Sequence, residues 1–212
     1  MSERYELPPE RLGRWLERWA DAHGGVASRA SDGRLVTFAA VDGAVVECEP
    51  PFPPVGDDLL AHVAAERVVG VLLVRLGGHA AGVFRGTELV ASKVGSRLGH
   101  GRHRAGGSSS GRFARRRASQ ARDALQAAAA VAVAVLREPA ESGALDAVVL
   151  GGDRTALTTV LEDKRLAAVA ALAGPRVLDV PDPRLAVLRA TPDRFRATVV
   201  TVTSGEPQCG QP

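Results

Sequence analysis

Cysteine is scarce in this 212-residue sequence: Cys48 and Cys209 are the only two, and they form no C-x-x-C pair. Disulfide frameworks and structural zinc sites need more cysteines at closer spacing, so neither is indicated. The N-terminus lacks the apolar core of a signal peptide, and apolar runs such as Val68 to Leu76 are much shorter than the roughly 20 residues that cross a bilayer. We therefore expect a reduced, cytoplasmic protein without a membrane partner, a metal or a cofactor.

Acidic residues are absent from the segment between Lys93 and Arg122. Nine of the 27 Lys and Arg residues lie there, so the other 182 residues hold 18 basic and 24 acidic groups, a formal charge near −6 against +3 for the whole chain. The first half is rich in Gly and Ser and poor in large apolar side chains, which predicts a mobile loop. Helix formers follow from Arg112 onward. We call residues 93–111 the arm and the predicted helix that follows it the basic helix. We expect both to face a polyanion.

Outside the arm, helical and strand patterns alternate, which predicts the α/β class. Trp15 and Trp19 lie at helical spacing with other apolar residues, which favours a core stripe over a platform for stacked bases. Asp42-Gly43 predicts a hairpin turn. The predicted elements, in chain order, are a helix at 9–22, strands at 35–41 and 44–48, a short helix at 59–67, strands at 68–76, 80–85 and 88–94, a helix at 112–137, a strand at 147–150, a helix at 155–172, and strands at 176–180 and 198–203.

The smaller features of the sequence give weaker functional signals. Gly151-Gly152-Asp153 follows a strand and either cradles an anion or simply turns the chain, with Asp153 near the helix N-cap, and the second is favoured. His79 is expected in a turn. Glu162 and Asp163 are expected on an ordinary amphipathic helix. Neither His100 nor His103 has the neighbours of a metal ligand.

Three motif interpretations compete within the arm. Gly101, Gly106 and Ser108 fit a phosphate-binding loop, but Gly107 stands where that loop needs lysine and no short strand leads into it. Residues 107–111 fit G-x-S-x-G, but no histidine follows His103, which excludes a serine-hydrolase triad in its usual order. The third interpretation is an arm that binds polynucleotide phosphates through arginine. A merely solvated cationic surface is its alternative.

The arm and the start of the basic helix together resemble the segment H-G-R-x-x-A-G-G-x-S-Q-Q-R-F-A-R-R-R. This segment occurs in the actinobacterial branch of the Vms-like release-factor family, whose members are relatives of the eukaryotic peptidyl-tRNA hydrolases of ribosome-associated quality control. The shared residues are His100-Gly101-Arg102, Ala105-Gly106-Gly107, Ser109 and Arg112-Phe113-Ala114-Arg115-Arg116-Arg117. The order of elements around the arm, including VVLGGDR at 148–154, is also similar, so the resemblance covers most of residues 1–203.

This resemblance implies the fold of the middle domain of eukaryotic and archaeal class 1 release factors, an RNase H-like mixed sheet flanked by helices. From length and composition we expect one domain over residues 1–203, a flexible loop at 95–111 within it and a disordered tail at 204–212. Its partners would be the large ribosomal subunit and peptidyl-tRNA, with no DNA and no cofactor. The loop would enter the peptidyl-transferase centre and promote hydrolysis of the ester between nascent peptide and tRNA.

The resemblance also assigns candidate residues. Glycine lets the backbone approach the ester, and backbone N–H groups would face the developing oxyanion. The catalytic candidates are Gly106, Gly107, Ser109 and Ser110. The RNA-binding candidates are Arg97, His100, Arg102, His103, Arg104, Arg112, Arg115, Arg116, Arg117 and Arg122.

The sequence departs from the family pattern at the catalytic position. The family's catalytic Gln falls on Ser110, a second Gln on Gly111, and a position that is often Trp on Ser108. Serine is shorter than glutamine, and a misplacement of about 1 Å can cost ~100-fold in rate. A slow hydrolase, catalysis through the backbone and ribosomal RNA, and a noncatalytic RNA-binding module therefore all stay open. An RNase H-like nuclease would need grouped carboxylates for Mg²⁺, which no spacing singles out.

Overall fold

The computed structural model describes residues 2–75, 77–96 and 110–203, except for the side chains of residues 96 and 110–118. The strands are β1 (Ser2–Leu7), β2 (Val26–Ser31), β3 (Val36–Ala40), β4 (Val45–Glu49), β5 (Val68–Arg75), β6 (Gly78–Arg85), β7 (Glu88–Ser96), β8 (Ala147–Gly152), β9 (Ala173–Leu178) and β10 (Thr198–Thr203). The α-helices are α1 (Pro9–Ala22), α2 (Leu59–Ala64), α3 (Ser110–Ala132), α4 (Glu138–Glu141), α5 (Arg154–Leu161), α6 (Ala167–Ala171), α7 (Leu185–Arg189) and α8 (Pro192–Phe195).

The chain divides into two compact units. One is formed by the residues up to Ala65 together with those from Pro192 onward, and the other is Glu66–Thr191. Each unit has its own five-stranded sheet and its own apolar core. The mixed α/β class with helices against the sheets is confirmed. One domain over residues 1–203 stays a prediction, and the proposed tail at 204–212 lies outside the described residues.

The first unit is an antiparallel sheet in the order β1-β10-β4-β3-β2. Helices α1 and α2 pack on it, with Leu12, Trp19, Leu59 and Val63 buried in one cluster with strand residues. Trp15 is partly buried against the same cluster, so the core interpretation of both tryptophans is confirmed.

The predicted Asp42-Gly43 hairpin is also confirmed. Strands β3 and β4 pair antiparallel on either side of it. Gly43 adopts a positive φ of 86°, which glycine reaches without steric cost. The Asp42 carboxylate accepts a hydrogen bond from the Ala44 N–H at 3.0 Å and so fixes the turn locally.

The second unit is a mixed sheet in the order β7-β6-β5-β8-β9. Strands β5, β6 and β7 pair antiparallel, whereas β8 and β9 continue the sheet parallel to β5. Strand β5 is central and buried at six consecutive positions from Val69 to Val74, as its unbroken apolar run predicted. The two strands on either side of α5, β8 and β9, pair parallel.

Helices α3 and α5 pack on one face of this second sheet. Ala128 and Ala132 of α3 and Leu157 of α5 share a buried cluster with Ala81 and Val83 of β6. Helix α7 packs on the opposite face, where the Leu188 Cδ2 lies 3.0 Å from the position that a Cβ on Gly82 would take. The long helix predicted from Arg112 to Arg137 is confirmed, with its last part, Val133–Arg137, wound as a π-helix.

Two local predictions are wrong. The helix predicted from Thr155 to Leu172 is broken into α5, a short 3₁₀ helix at Lys164–Leu166 and α6, so Glu162 and Asp163 lie at the break. Asp163 caps the 3₁₀ helix by accepting from the Arg165 N–H at 3.0 Å. His79 lies in strand β6 and not in a turn. In the described residues, no helix combines the length and apolar character needed to span a membrane.

Candidate nucleic-acid interface

The arm leaves the second sheet at its edge. In the part of the chain that the structure describes, strand β7 has one sheet neighbour, β6, and it ends at Ser96, whose register partner is Gly78. The chain is next described at Ser110, where α3 begins. Eight predicted site residues lie outside the described residues: Arg97, His100, Arg102, His103, Arg104, Gly106, Gly107 and Ser109.

The remaining site candidates lie on helix α3. Ser110 is its first residue, and positions 112, 115, 116 and 117 follow within its first two turns. Arg122 is exposed one turn further along. The second half of α3 is fixed by burial of Ala128 and Ala132 against the sheet, so the basic half is carried on a helix that the core holds in place. The structure thus places five of the predicted RNA-binding positions on one element.

The histidine that the sequence pattern placed in a turn lies at the end of the sheet from which the arm leaves. His79 of β6 is opposite Gly95 of β7, and its residue surface is only 8% exposed. A Cβ on Gly95 would fall on the His79 Nε2 and lie 2.8 Å from its Cε1, so the ring occupies the space that glycine leaves free. Burial lowers the pKa of the His79 imidazole, which favours the neutral ring at pH 7.

The solvent side of the α3–α5 pair forms a groove of about 360 Å³. Helix α3 supplies one wall and the C-terminal end of α5 with the following 3₁₀ turn supplies the other. The lining residues are Arg122, Leu125, Gln126, Ala129, Thr159, Glu162, Asp163 and Arg165. We refer to this site as the α3–α5 groove. Arg122, the predicted RNA-binding residue whose side chain the structure describes, is part of this lining.

Within the groove, Arg165 and Asp163 form a bidentate pair. The Arg165 Nη2 donates to the Asp163 Oδ2 at 2.7 Å, and its Nε donates to Oδ1 at 3.0 Å. The hydrogen bonds from the Arg165 side chain, and then from its backbone N–H, lower the pKa of Asp163 to about 2. The two charges therefore largely compensate each other, which leaves Arg122 and Glu162 as the other charged groups of the lining.

The turn at the end of β8 has a structural role. The Asp153 Oδ1 accepts from the Ala156 N–H at 2.8 Å, so Asp153 is the N-cap of α5, and the N-cap interpretation is confirmed. Gly152 has a φ of 105° and approaches the Val74 carbonyl so closely that a Cβ would not fit. Within the described ranges, no three His, Cys, Asp or Glu side chains are grouped closely enough to hold a metal ion.

Comparisons with known proteins place the chain in a family. A family model described as the Actinobacteria/chloroflexi VLRF1 release factor matches residues 67–201. Among solved structures, the crystal structure of an archaeal translation termination factor, aRF1, matches with a TM-score of 0.44 and 14% identity over 92% of this chain and 66% of that one.

A second structure, an archaeal protein, matches with a TM-score of 0.42 and 14% identity over the same shares of the two chains. The chain thus spans 66% of the length of each of these structures. A search of curated proteins found no match. The family model spans well over half of the sequence, and the chain therefore belongs to the Actinobacteria/chloroflexi VLRF1 release-factor family.

Proposed function

We propose that this protein binds the large ribosomal subunit and peptidyl-tRNA, and that it hydrolyses peptidyl-tRNA to release nascent chains from stalled ribosomes. Membership of a release-factor family supports a ribosome-related role in chain release. The observation that carries the proposal is the continuity of α3: its basic positions start directly after the arm, and its second half is buried against the sheet. A cationic surface held in this way suits RNA phosphates.

In the proposed reaction, water attacks the carbonyl carbon of the ester that joins the peptide to the terminal ribose of tRNA. The bond from that carbon to the ribose oxygen breaks, and a proton ends on the released ribose hydroxyl. Gly106 and Gly107 would let the backbone approach the ester and donate N–H groups to the oxyanion. The hydroxyls of Ser109 and Ser110 would orient the water. The arginines and histidines of the arm, together with those of α3, would bind tRNA and ribosomal RNA.

The experiment is a release assay on stalled 50S–peptidyl-tRNA complexes. We expect slow release by the natural sequence and release faster by about 10- to 100-fold after Ser110→Gln, because an amide extends closer to the attacking water than a hydroxyl does. Ser119→Gln is the matched control: it makes the same change at an exposed position of α3, nine residues further along, and should leave the rate unchanged.

A noncatalytic ribosome-binding module is the second candidate. The observation that favours it is the presence of Ser110 and Gly111 where the family pattern has two glutamines. It predicts ribosome co-sedimentation that weakens with salt and with Arg115→Glu plus Arg116→Glu, without release even after Ser110→Gln. Should the two charge reversals leave ribosome association unchanged, both candidates lose their basis.

A further inference from the structure

The α3–α5 groove lies on the same helix as the basic positions. Arg122 is six residues beyond position 116, which at 1.5 Å per residue is about 9 Å along the helix axis. Two or three stacked nucleotides cover that distance at about 3.4 Å each. Position 115 is seven residues before Arg122, and a seven-residue step returns to nearly the same side of a helix. An RNA strand held at position 115 is therefore directed toward the groove.

The groove suits a base better than a phosphate. Its floor contains Leu125, half-buried, and Ala129, buried, which offer an apolar surface for the face of a ring. The carboxylate of Glu162 would repel a phosphate, and the charge of Arg165 is compensated by its bidentate contact with Asp163. Its volume of about 360 Å³ lies within the range of roughly 300–1,000 Å³ found for small-molecule sites.

We propose that the α3–α5 groove binds one unpaired base of the RNA strand that α3 holds. Leu125 contacts the face of the base, Arg122 binds the adjoining phosphate, and the Glu162 carboxylate accepts a hydrogen bond from an exocyclic amine. Cytosine, adenine and guanine carry such an amine and uracil does not, so uracil is the disfavoured base. This inference rests on the RNA-binding part of the proposed function and adds a site with base preference to it.

The test measures fluorescence anisotropy of labelled oligocytidylate and oligouridylate of about ten nucleotides, a length within the usual range of single-strand binding sites. The natural protein should bind oligocytidylate more tightly. Thr159→Glu places a carboxylate inside the groove and should weaken oligocytidylate binding about tenfold, which corresponds to about 1.4 kcal/mol. Thr158→Glu is the matched control, because it adds the same charge to α5 outside the groove and should change binding less than twofold.

The two threonines are well matched. Both are exposed, and each hydroxyl donates to the carbonyl four residues earlier, Thr158 to Arg154 at 3.0 Å and Thr159 to Thr155 at 3.1 Å. Circular dichroism melting of both variants checks that α5 stays folded. Glu162→Gln adds an amide that can donate to the uracil O4, so it should move the ratio of the two affinities toward oligouridylate.

Equal effects of Thr159→Glu and Thr158→Glu, with an unchanged affinity ratio in Glu162→Gln, would overturn the groove proposal. The proposed RNA-binding function is tested separately on the same oligonucleotides by Arg115→Glu plus Arg116→Glu. Loss of binding in that double variant, with no effect of the groove variants, removes the groove alone. Unchanged binding in the double variant removes the RNA-binding role of α3 and, with it, the basis of the groove.

Discussion

Gly95 of β7 pairs with His79 of β6, one residue before β7 ends at Ser96. Glycine is required at position 95 for space, because the His79 ring fills the volume of a Cβ there. The ring is enclosed on the α3-covered side of the sheet, since His79 alternates with Ala81 and Val83 along β6. The direction in which the chain leaves β7 therefore depends on how the His79 ring fits into the space beside Gly95.

Gly95→Ala should destabilise the protein by about 1–3 kcal/mol, the usual cost of adding a methyl group to a packed site. The free energy of unfolding in urea measures this cost. Gly174→Ala is the control, because a Cβ at Gly174 of β9 would meet no atom within 4 Å and should cause no loss. Adding His79→Ala to Gly95→Ala should recover stability relative to the sum of the two single changes. Additive losses would mean that the ring and the methyl group do not compete for space.

The position of His79 could not be predicted from its neighbours in sequence. Gly77, Gly78 and His79 resemble a turn, and the apolar run that precedes them extends to Leu76. The register places Arg75 opposite Gly78, so β6 starts earlier than its apolar residues indicate. That register is set by pairing between strands, which a local pattern does not contain.

At the scale of elements, burial decided which predictions succeeded. Helix α1 was predicted correctly because its apolar residues repeat with helical period. The β3–β4 hairpin was predicted from the turn residues Asp42-Gly43, and α3 from its unbroken run of helix formers. Strand β2 was missed because all six of its residues are exposed and no alternation marks it. The break after α5 was missed because it depends on Asp163 accepting from a nearby backbone N–H, which competes with helix continuation.

The start of α5 gives a prediction for an element. Asp153→Ala removes the acceptor for the Ala156 N–H and should lower the free energy of unfolding by about 1 kcal/mol, the typical value of an N-cap. Asp153→Asn keeps a capping oxygen and should retain most of the stability, which thermal or urea unfolding measures. Equal losses in the two variants would point to the charge of Asp153, and not to its cap, as the stabilising feature.

At the scale of the whole molecule, the charge is strongly uneven. The segment from Lys93 to Arg122 carries nine basic groups and no acid, whereas the rest of the chain has a formal charge near −6. This unevenness was readable from the sequence alone, as was the α/β class. The candidate site was predicted less completely: the basic helix was foreseen, but the α3–α5 groove combines residues about 40 positions apart that only tertiary packing brings together.

The uneven charge predicts how RNA binding depends on salt. Each phosphate contact to a single strand contributes about 0.7 to the slope of log affinity against log salt concentration. Arg115→Ala plus Arg116→Ala should therefore reduce the magnitude of that slope by about 1.4, measured by anisotropy with oligocytidylate at several salt concentrations. Arg29→Ala plus Arg34→Ala changes the net charge equally at exposed positions of the first unit and should leave the slope unchanged. Equal slopes in the two double variants would mean that net charge, not α3, governs binding.

Strand β10 lies between β1 and β4, so β1 has its described sheet partner in a strand that comes much later in the sequence. During synthesis, nearly 200 residues must therefore be added after β1 before its partner strand leaves the ribosome. Pairing over such a sequence separation is slow to form and cannot begin on an incomplete chain. A nascent copy of this protein that stalls before Thr198 lacks the strand that joins β1 to β4, so a protein that we propose rescues stalled synthesis is itself sensitive to stalling before β10 is made.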